Sequence, residues 1–329
     1  MIDSKGPILV TGAAGFIGSF VSARLAGLGM EVVGCDNFND YYTPKLKHDR
    51  VRALLEPAGV KCHQLELADI DQVNRLFDEI HPTLVVHLAA QAGVRYSLQN
   101  PAVYVQSNLV AFYNMMEACK KKEVQHLLYA SSSSVYGANS KVPFHEDDKT
   151  DEPVSLYAAT KKSNELMAFS YSHLYGVPMT GLRFFTVYGP WGRPDMAYFS
   201  FTDKMLQGKI IPVFAEGKLQ RDFTYVDDIV EGVVRLLFKP QVAGPGKVPH
   251  IIFNIGNHQT IRVMDFISTL EILLDVKANI QFLPMQPGDV PATYADTTRL
   301  REWVDFEPST TLVNGLAKFR DWYLNWSTT

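Results

Sequence analysis

The sequence contains few cysteines, no long apolar run and only a small excess of one charge. Its three cysteines stand far apart without a C-x-x-C pair, at Cys35, Cys62 and Cys119. We therefore expect reduced thiols, and neither a disulfide framework nor a zinc site. No stretch approaches the about 18 apolar residues of a transmembrane helix. The formal net charge is −4, so we expect neither nucleic acid nor a membrane surface as a partner.

Targeting and metal signals are also missing. Residues 1–6 lack the basic region, apolar run and small-residue cleavage site of a signal peptide. Together with the reduced thiols, this predicts a cytoplasmic protein. No group of His, Cys and Asp has the spacing of metal ligands, so we expect no metal. The chain is otherwise ordinary for a globular protein, with 329 residues, 47% hydrophobic and 20% charged, enough for one large domain or two smaller ones.

The first motif is a strand followed by a glycine loop and a helix. The apolar run Ile8 to Thr11 is typical of a buried strand. Three spaced glycines follow it, at Gly12, Gly15 and Gly18. Glycines in this context permit close backbone approach to a pyrophosphate, which the helix N-terminus attracts. The next strand ends at Asp36, whose carboxylate can accept hydrogen bonds from both adenosine ribose hydroxyls and would repel a 2′-phosphate, so the sequence predicts NAD.

Alternating strands and helices continue beyond this unit. Strands are predicted at Val60 to Leu65, Thr83 to Leu88, Gln125 to Ala130 and Met179 to Phe184. This alternation predicts an α/β fold with a Rossmann-type doubly wound parallel sheet, whose ligands lie at the carboxyl ends of the strands. From Met179 onward the pattern loosens, and we expect a smaller C-terminal α/β domain. Within it, Arg221 to Asp228 is predicted to open a helix that runs through Phe238.

Tyr157 and Lys161 are four residues apart, which places both side chains on one face of a helix. The ammonium favours the phenolate, so we expect the pKa of Tyr157 to fall below its usual value near ~10. Tyr157 is therefore a candidate general acid or base. A Tyr and a Lys at this spacing also occur together by chance on protein surfaces. The glycine loop, Asp36 and Ser132 make chemistry the favoured interpretation, because they supply a cofactor site and a second hydroxyl.

These motifs, in order and spacing over nearly the whole chain, resemble the extended short-chain dehydrogenase/reductases, the NAD-dependent sugar-nucleotide epimerases and dehydratases. Within that family the chain is most similar to UDP-glucuronate 4-epimerases. The stretches that carry this likeness are Ser131 to Tyr136, Ser155 to Lys161, Leu182 to Asp195 and Gln286 to Val290. The resemblance implies an NAD-binding domain of residues 1–181 plus about 222–256. It implies a UDP-sugar-binding domain of about 182–221 plus 257–329.

The resemblance also implies roles for individual residues. Ser132, Tyr157 and Lys161 would be catalytic. Tyr157 would take the proton of the sugar 4-hydroxyl, Lys161 would hold the nicotinamide ribose, and Ser132 would hydrogen-bond the 4-oxygen. Hydride would pass from C4 to bound NAD and return to the other face of the rotated 4-keto sugar. The implied NAD contacts are Gly12, Ala14, Gly15, Phe16, Ile17, Gly18, Asp36, Asn37, Asp69, Ile70, Leu88, Ala89, Ala90, Gln91, Asn108, Tyr157 and Lys161.

Residues after Ser132 separate the related reactions. Dehydratases carry Asp-Glu at the two positions that are Ser133 and Ser134 here, and decarboxylases carry Glu at the position of Ser134. The serines therefore favour epimerisation, although they also fit simple packing at a strand end. For a uronate, we expect Ser133, Ser134, Thr186 and Arg193 to hold the carboxylate. UDP-glucose/galactose 4-epimerase, UDP-glucuronate decarboxylase and a non-catalytic NAD-binding sensor stay open as alternatives.

The resemblance also implies contacts to the UDP group and a homodimer. By the resemblance, Arg221 would pair with the diphosphate and Asp289 would accept from the uridine, while Arg95 is a possible substrate contact or a surface ion pair. The family forms homodimers through two helices, here near residues 103–121 and 157–171. Apolar side chains on them fit either a dimer interface or core packing: Phe112, Met115, Met116, Met167 and Phe169.

Overall fold

The structure, a computed structural model, describes residues 6–286 and 290–327. The strands in these ranges are β1 (Ile8–Thr11), β2 (Val32–Asp36), β3 (Lys61–Gln64), β4 (Leu84–His87), β5 (His126–Ser132), β6 (Met179–Phe184), β7 (Thr186–Tyr188), β8 (Ile210–Phe214), β9 (Gln220–Tyr225), β10 (His250–Ile255), β11 (Thr260–Arg262) and β12 (Asn279–Leu283). The α-helices are α1 (Phe16–Gly27), α2 (Pro44–Arg50), α3 (Ile70–Ile80), α4 (Tyr96–Gln99), α5 (Pro101–Tyr104), α6 (Ala111–Lys121), α7 (Leu156–Tyr175), α8 (Ala197–Leu206), α9 (Val226–Leu237), α10 (Val263–Leu274), α11 (Thr298–Val304) and α12 (Leu312–Ser327). Helical turns of π type occupy Val51–Leu55 and Val105–Val110.

A seven-stranded sheet in the order β10-β6-β5-β4-β1-β2-β3 forms the centre of the chain. All its strand pairs are parallel. Every residue of β1 and β4 is buried, because helices cover both faces of a parallel sheet. The strand order reverses between β1 and β4, and ligands of such sheets bind at that switch point, beyond the carboxyl ends of the strands. The predicted α/β Rossmann-type fold is confirmed.

Two small sheets lie outside this core, in the orders β11-β9-β7 and β12-β8. The prediction that a helix opens at Arg221 is wrong for the residues before Val226. Gln220–Tyr225 is strand β9, which pairs with β7 in parallel and with β11 antiparallel. Its Phe-Thr-Tyr sequence suits a pleated, packed surface better than a helix. Helix α9 begins only at Val226, with Asp227 and Asp228 in the first turn, where the helix dipole favours acids.

Some elements of the structure were predicted from the sequence and others were not. The strand Met179–Phe184 has the predicted bounds. Helix α2 was not predicted, because its sequence Pro-Lys-Leu-Lys-His-Asp-Arg has no apolar periodicity. Among the helices of the described residues, none has the length and apolar character to cross a bilayer.

A buried ion pair joins α7 to the sheet. Arg183 on β6 donates from Nε to Oε1 of Glu165 at 2.8 Å and from Nη2 to Oε2 at 2.9 Å. The Ser131 hydroxyl donates to the same Oε1 at 2.7 Å. The side chains of Arg183 and Glu165 are 3% and 2% exposed. This bidentate contact fixes the helix that carries Tyr157 and Lys161 against the ends of β5 and β6.

We expect Arg183→Met to lower the free energy of unfolding by about 3–5 kcal/mol, because it leaves the buried Glu165 charge without its bidentate partner. Lys162, whose Nζ lies 3.8 Å from Oε2 of Glu165, replaces that partner only in part. The double variant Arg183→Met/Glu165→Leu should recover most of that loss, because replacing both charges removes the unpaired one. Urea unfolding followed by circular dichroism measures both changes. Lys218→Met, which breaks the exposed pair with Glu216, is the control and should change little. A double variant as unstable as the single one would contradict the account.

Candidate active site

A cleft opens at the carboxyl edge of the central sheet, at the switch point between β1 and β4. Fifteen of the residues predicted from the sequence line it. They are Gly12, Gly15, Phe16, Ile17, Gly18, Asp36, Asn37, Leu88, Ala89, Ala90, Gln91, Ser132, Tyr157, Lys161 and Arg193. The fold therefore brings the glycine loop, the acid of β2 and the Tyr-Lys pair into one site.

The glycine loop has the shape of a phosphate cradle. Gly12 has a φ of +69°, and a Cβ there would lie 2.8 Å from the backbone nitrogen of Ala89. A Cβ on Gly18 would lie 2.1 Å from the carbonyl oxygen of Gly12. Helix α1 begins directly after Gly15, without a side-chain cap, so its first N–H groups are available to an anion. These features fit the pyrophosphate of a dinucleotide.

Asp36 ends β2 at the cleft and is 8% exposed. Its Oδ1 accepts from the backbone N–H of Phe38 at 2.8 Å and lies 3.6 Å from Nζ of Lys47. Burial lowers the pKa of Lys47, and the Asp36 charge opposes that shift. Lys47 also donates to Oδ1 of Asn39 at 3.0 Å. An acid at this place fits an adenosine ribose, as the sequence predicted.

Helix α7 presents Tyr157 and Lys161 to the cleft. The hydroxyl of Ser155 accepts from the N–H of Ala158 at 3.1 Å, which caps the helix just before the pair. Lys161 is 3% exposed and donates from Nζ to the carbonyl of Ala130 at 2.9 Å. Burial lowers the pKa of Lys161 to about 8. The ammonium is therefore fixed next to the end of β5, which carries Ser132.

The protonation of Tyr157 differs from the expectation. Burial raises the pKa of its phenol above the usual value, and a hydrogen bond with Ser132 and the charge of Arg193 oppose this rise. The sequence assigned the lowering influence to Lys161, four residues away on the helix. In the structure, the desolvation of the cleft outweighs every charge that acts on the phenol. Tyr157 therefore carries its proton at neutral pH in the free chain.

Arg193 lies at the cleft in a small charged cluster. Its Nε and Nη2 donate to the two carboxylate oxygens of Asp195 at 3.0 and 2.5 Å, and the phenol of Tyr41 donates to Oδ2 at 3.0 Å. Burial disfavours the carboxylate, but the charge and hydrogen bonds of Arg193 outweigh it, so the pKa of Asp195 is lowered. The side chain of Arg193 is 23% exposed. A cation held at a cleft in this way can receive an anionic ligand group.

The serines after Ser132 form a helical turn at the same edge. Ser133–Tyr136 is a 3-10 turn capped by Ser132, whose oxygen accepts from the N–H of Ser134 at 3.2 Å. The hydroxyls of Ser132 and Ser134 are also 3.2 Å apart. Ser133, Ser134 and Thr186 are half-buried and are not among the residues that line the cleft.

Other predicted residues also lie away from the cleft lining. Asp69 caps α3, accepting from the N–H groups of Asp71 and Gln72, and Ile70 is the first residue of that helix. Ala14 is a buried residue of the glycine loop. Asn108 shapes the cleft indirectly, since its amide bonds both the N–H and the carbonyl of Gln91, at 2.8 and 3.0 Å.

Two of the expected substrate contacts, Arg95 and Arg221, lie within the described residues. The Arg95 guanidinium lies 5.0 Å from the ring centroid of Phe214. Arg221 donates to the carbonyl of Gln220 at 2.9 Å. Asp289 lies outside the described residues.

The sequence missed several residues of the cleft wall. They are Asn39, Tyr41, Tyr42, Lys47, Leu65, Glu66, Leu67, Ala92, Ser107, Ala111, Ala130, Ser131, Phe184, Phe185, Val187 and Met196. For the first three, a signal was present. The run Asn-Phe-Asn-Asp-Tyr-Tyr directly after Asp36 is polar and aromatic, as binding loops often are. The others come from strands and helices whose inward faces only the tertiary structure defines.

The chain as a whole is similar to known sugar-nucleotide epimerases. The sequence model of the NAD dependent epimerase/dehydratase family matches residues 8–256. UDP-glucuronate 4-epimerase 2 of Arabidopsis thaliana is 50% identical over 331 residues, which cover 97% of this chain and 76% of the relative. The structure of UDP-glucuronic acid 4-epimerase from Bacillus cereus, in complex with UDP-glucuronic acid and NAD, has a TM-score of 0.89 at 33% identity, covering 97% of this chain and 99% of that one.

A second solved structure has the same architecture. UDP-glucose 4-epimerase from Thermotoga maritima, with UDP-glucose, has a TM-score of 0.86 at 29% identity and covers 98% of this chain and 99% of that one. Family match, sequence identity and structure agree over almost the whole length. The chain belongs to the NAD dependent epimerase/dehydratase family.

Proposed function

We propose that the chain is a UDP-glucuronate 4-epimerase that interconverts UDP-glucuronate and UDP-galacturonate with NAD held in the cleft. The observation that carries the proposal is the arrangement of Ser132, Tyr157 and Lys161 beside Arg193 at the end of the glycine-loop cleft. Identity of 50% with a plant UDP-glucuronate 4-epimerase supports the same substrate. Bound NAD supplies a hydride acceptor that returns the hydride, so the reaction has no net oxidation.

Three residues of the chain act on the proton of the sugar 4-hydroxyl. Tyr157 takes that proton as C4 is oxidised to a ketone, and returns it when C4 is reduced on its other face. Ser132, which lines the cleft together with Tyr157, hydrogen-bonds the same oxygen. Lys161 holds the nicotinamide ribose and adds positive charge. Two donors and a cation around one developing oxyanion stabilise it in a cleft with little water.

The choice between epimerisation and other reactions falls to residues around Ser132, Tyr157 and Lys161. Ser133 and Ser134 are not acids, so neither can remove water from the sugar as a dehydratase does. Arg193, with Ser133, Ser134 and Thr186, holds the substrate carboxylate. A held carboxylate keeps its bond to C5 out of the geometry in which a 4-keto uronate loses carbon dioxide. Charge on the substrate also favours a uronate over a neutral sugar at a site that contains Arg193.

The remaining contacts follow the division of the chain. Residues 1–181 plus about 222–256 bind NAD, and residues of about 182–221 plus 257–329 bind the UDP-sugar. Asp36 and Asn37 hold the adenosine ribose, and Asp69 and Ile70 border the adenine. Arg221 pairs with the diphosphate, Asp289 accepts from the uridine, and Arg95 is a further substrate contact.

We assign a homodimer to the outer faces of α6 and α7. Tyr113, Leu166, Phe169 and Leu174 are between 46% and 63% exposed there, an unusual density of large apolar side chains for a free surface. Phe112, Met115 and Met116 are instead buried in the core, so core packing explains those three. The cysteines are all free thiols, which fits the cytoplasm.

Purified protein should convert UDP-glucuronate to UDP-galacturonate without release of carbon dioxide, as followed by proton NMR. Tyr157→Phe should lower the rate by at least about 10²-fold, because it removes the proton acceptor. Tyr171→Phe is the control on the same helix and should keep full activity. Appearance of a 4-keto pentose or UDP-xylose would identify a decarboxylase. Turnover of UDP-glucose but not of UDP-glucuronate would identify a UDP-glucose/galactose 4-epimerase.

Ser132→Ala should move the ascending limb of the kcat/KM profile to higher pH. The Ser132 hydrogen bond opposes the burial that raises the pKa of Tyr157, so its loss raises that pKa further. A hydrogen bond of about 1 kcal/mol corresponds to a shift of about one pH unit. Ser163→Ala, on helix α7 with Tyr157, is the control and should leave the pH profile of kcat/KM unchanged. A limb at unchanged or lower pH in Ser132→Ala would contradict the assignment.

Arg193→Gln should lower kcat/KM for UDP-glucuronate by about 10- to 100-fold, the worth of a charge-assisted hydrogen bond. Its kcat/KM for UDP-glucose should change much less, because that sugar has no carboxylate. Arg193→Gln leaves the Asp195 carboxylate without its ion-pair partner. The double variant Arg193→Gln/Asp195→Asn removes that carboxylate charge too, and is therefore the matched control for the effect of an unpaired Asp195. Equal losses on both substrates would exclude Arg193 as the carboxylate contact.

A further inference from the structure

The guanidinium of Arg50 is fully buried, yet its hydrogen-bond partners are uncharged. Its Nη1 donates to the carbonyl of Ala14 at 3.1 Å and to the phenol oxygen of Tyr42 at 2.7 Å. Its Nε donates to the carbonyl of Trp191 at 2.9 Å, and its Nη2 to that of Gly192 at 3.1 Å. No carboxylate within residues 6–286 and 290–327 forms an ion pair with it. A buried charge without a counter-charge is costly, so it needs a reason beyond stability.

The partners of Arg50 belong to separate parts of the site. Ala14 lies in the glycine loop between β1 and α1, and Tyr42 follows Asp36 in the cleft wall. Trp191 and Gly192 directly precede Arg193 in the loop after β7. One side chain at the end of α2 therefore ties the cofactor loop to the loop that carries Arg193. A guanidinium suits this task, because its planar fork of five N–H donors reaches several acceptors at fixed angles.

The loop that Arg50 holds is under strain. Trp191 has a φ of +61°, which is rare for a bulky residue and costs on the order of 1–3 kcal/mol. Gly192 is pressed against Tyr198 from the other side, so that a Cβ there would lie 1.9 Å from the phenol oxygen. Such a conformation persists only where its surroundings impose it. Arg50 on one side and Tyr198 on the other impose the position of this turn, and with it the position of Arg193.

We infer that Arg50 is a positioning residue for substrate selection, which sets the place of Arg193 without touching the substrate. The inference rests on the proposed function, since it assumes that Arg193 receives the carboxylate of a UDP-uronate. A hydrogen-bonding group must be held within about 0.5 Å of its productive place. The carbonyls of Trp191 and Gly192 give Arg50 that control over the adjacent residue. Loss of Arg50 weakens recognition of the uronate and leaves recognition of the UDP group intact.

The test is Arg50→Lys, which keeps the charge but cannot reach all four acceptors. Calorimetric titration gives the Kd of UDP-glucuronate and of UDP-glucose for the purified, NAD-loaded protein. We expect the ratio of the two affinities to fall by about 10- to 100-fold, because a displacement of about 1 Å has effects of that size. The KM for UDP-glucuronate should rise more than kcat falls. Carbon dioxide release per turnover should increase.

Arg235→Lys is the matched control. Arg235 also donates to two backbone carbonyls, those of Val304 and Asp305, but lies on α9 away from the cleft. Arg235→Lys can lower the stability of the protein, but it should leave the ratio of the affinities for UDP-glucuronate and UDP-glucose unchanged. A double-mutant cycle gives the decisive readout. If Arg50 acts through Arg193, then Arg50→Lys/Arg193→Gln should discriminate no worse than Arg193→Gln alone.

An unchanged ratio in Arg50→Lys, or fully additive effects in the cycle, would overturn the inference. Gly192→Ala displaces the same turn from its other side and should reproduce the loss of discrimination if Arg50→Lys does not fold. An unchanged ratio in Gly192→Ala would likewise count against the inference. Failure of the wild-type protein to bind UDP-glucuronate in preference to UDP-glucose would instead refute the proposed function, so the two failures are distinguishable.

Discussion

The contact between Gly12 and the end of β4 is the constraint on which the site depends. At this point the chain turns out of β1 within contact distance of the Ala89 backbone, and a Cβ on Gly12 would lie 2.8 Å from its nitrogen. No larger residue permits that approach. Because the two strands end together, the glycine loop, Asp36 and the Ala89 to Gln91 segment share one cleft. The Tyr-Lys helix then closes the cleft from the side of β5.

Burial governs the charge states of Tyr157 and Lys161 more than any neighbouring charge does. It raises the pKa of Tyr157 and lowers that of Lys161 to about 8. Both shifts favour uncharged forms in the free chain. The site therefore needs partners that restore the charges during the reaction, and Ser132 and Arg193 act in that direction on Tyr157. The charge of Arg193, proposed to select the substrate, therefore also acts on the reactive phenol of Tyr157.

Local patterns predicted the parts of the site that depend on neighbours in sequence. The glycine loop, Asp36 after a strand, and Tyr157 with Lys161 at helical spacing all follow from periodicities of a few residues. Arg50 and Lys47 could not be found this way. They lie on a polar helix, and the partners of Arg50 are up to 142 residues away. The strand at Gln220–Tyr225 was missed for a related reason, since its pairing with β7 and β11 is decided by tertiary contacts.

The central claim is that the hydrogen at C4 of the sugar leaves as hydride and returns to the same carbon. UDP-glucuronate labelled with deuterium at C4 tests this most directly, by proton NMR and mass spectrometry of the product formed in ordinary water. The account predicts UDP-galacturonate that keeps the deuterium at C4 and takes up no solvent hydrogen at C4 or C5. Loss of the C4 label to solvent would contradict it, because the configuration at C4 would then be inverted by proton removal from that carbon.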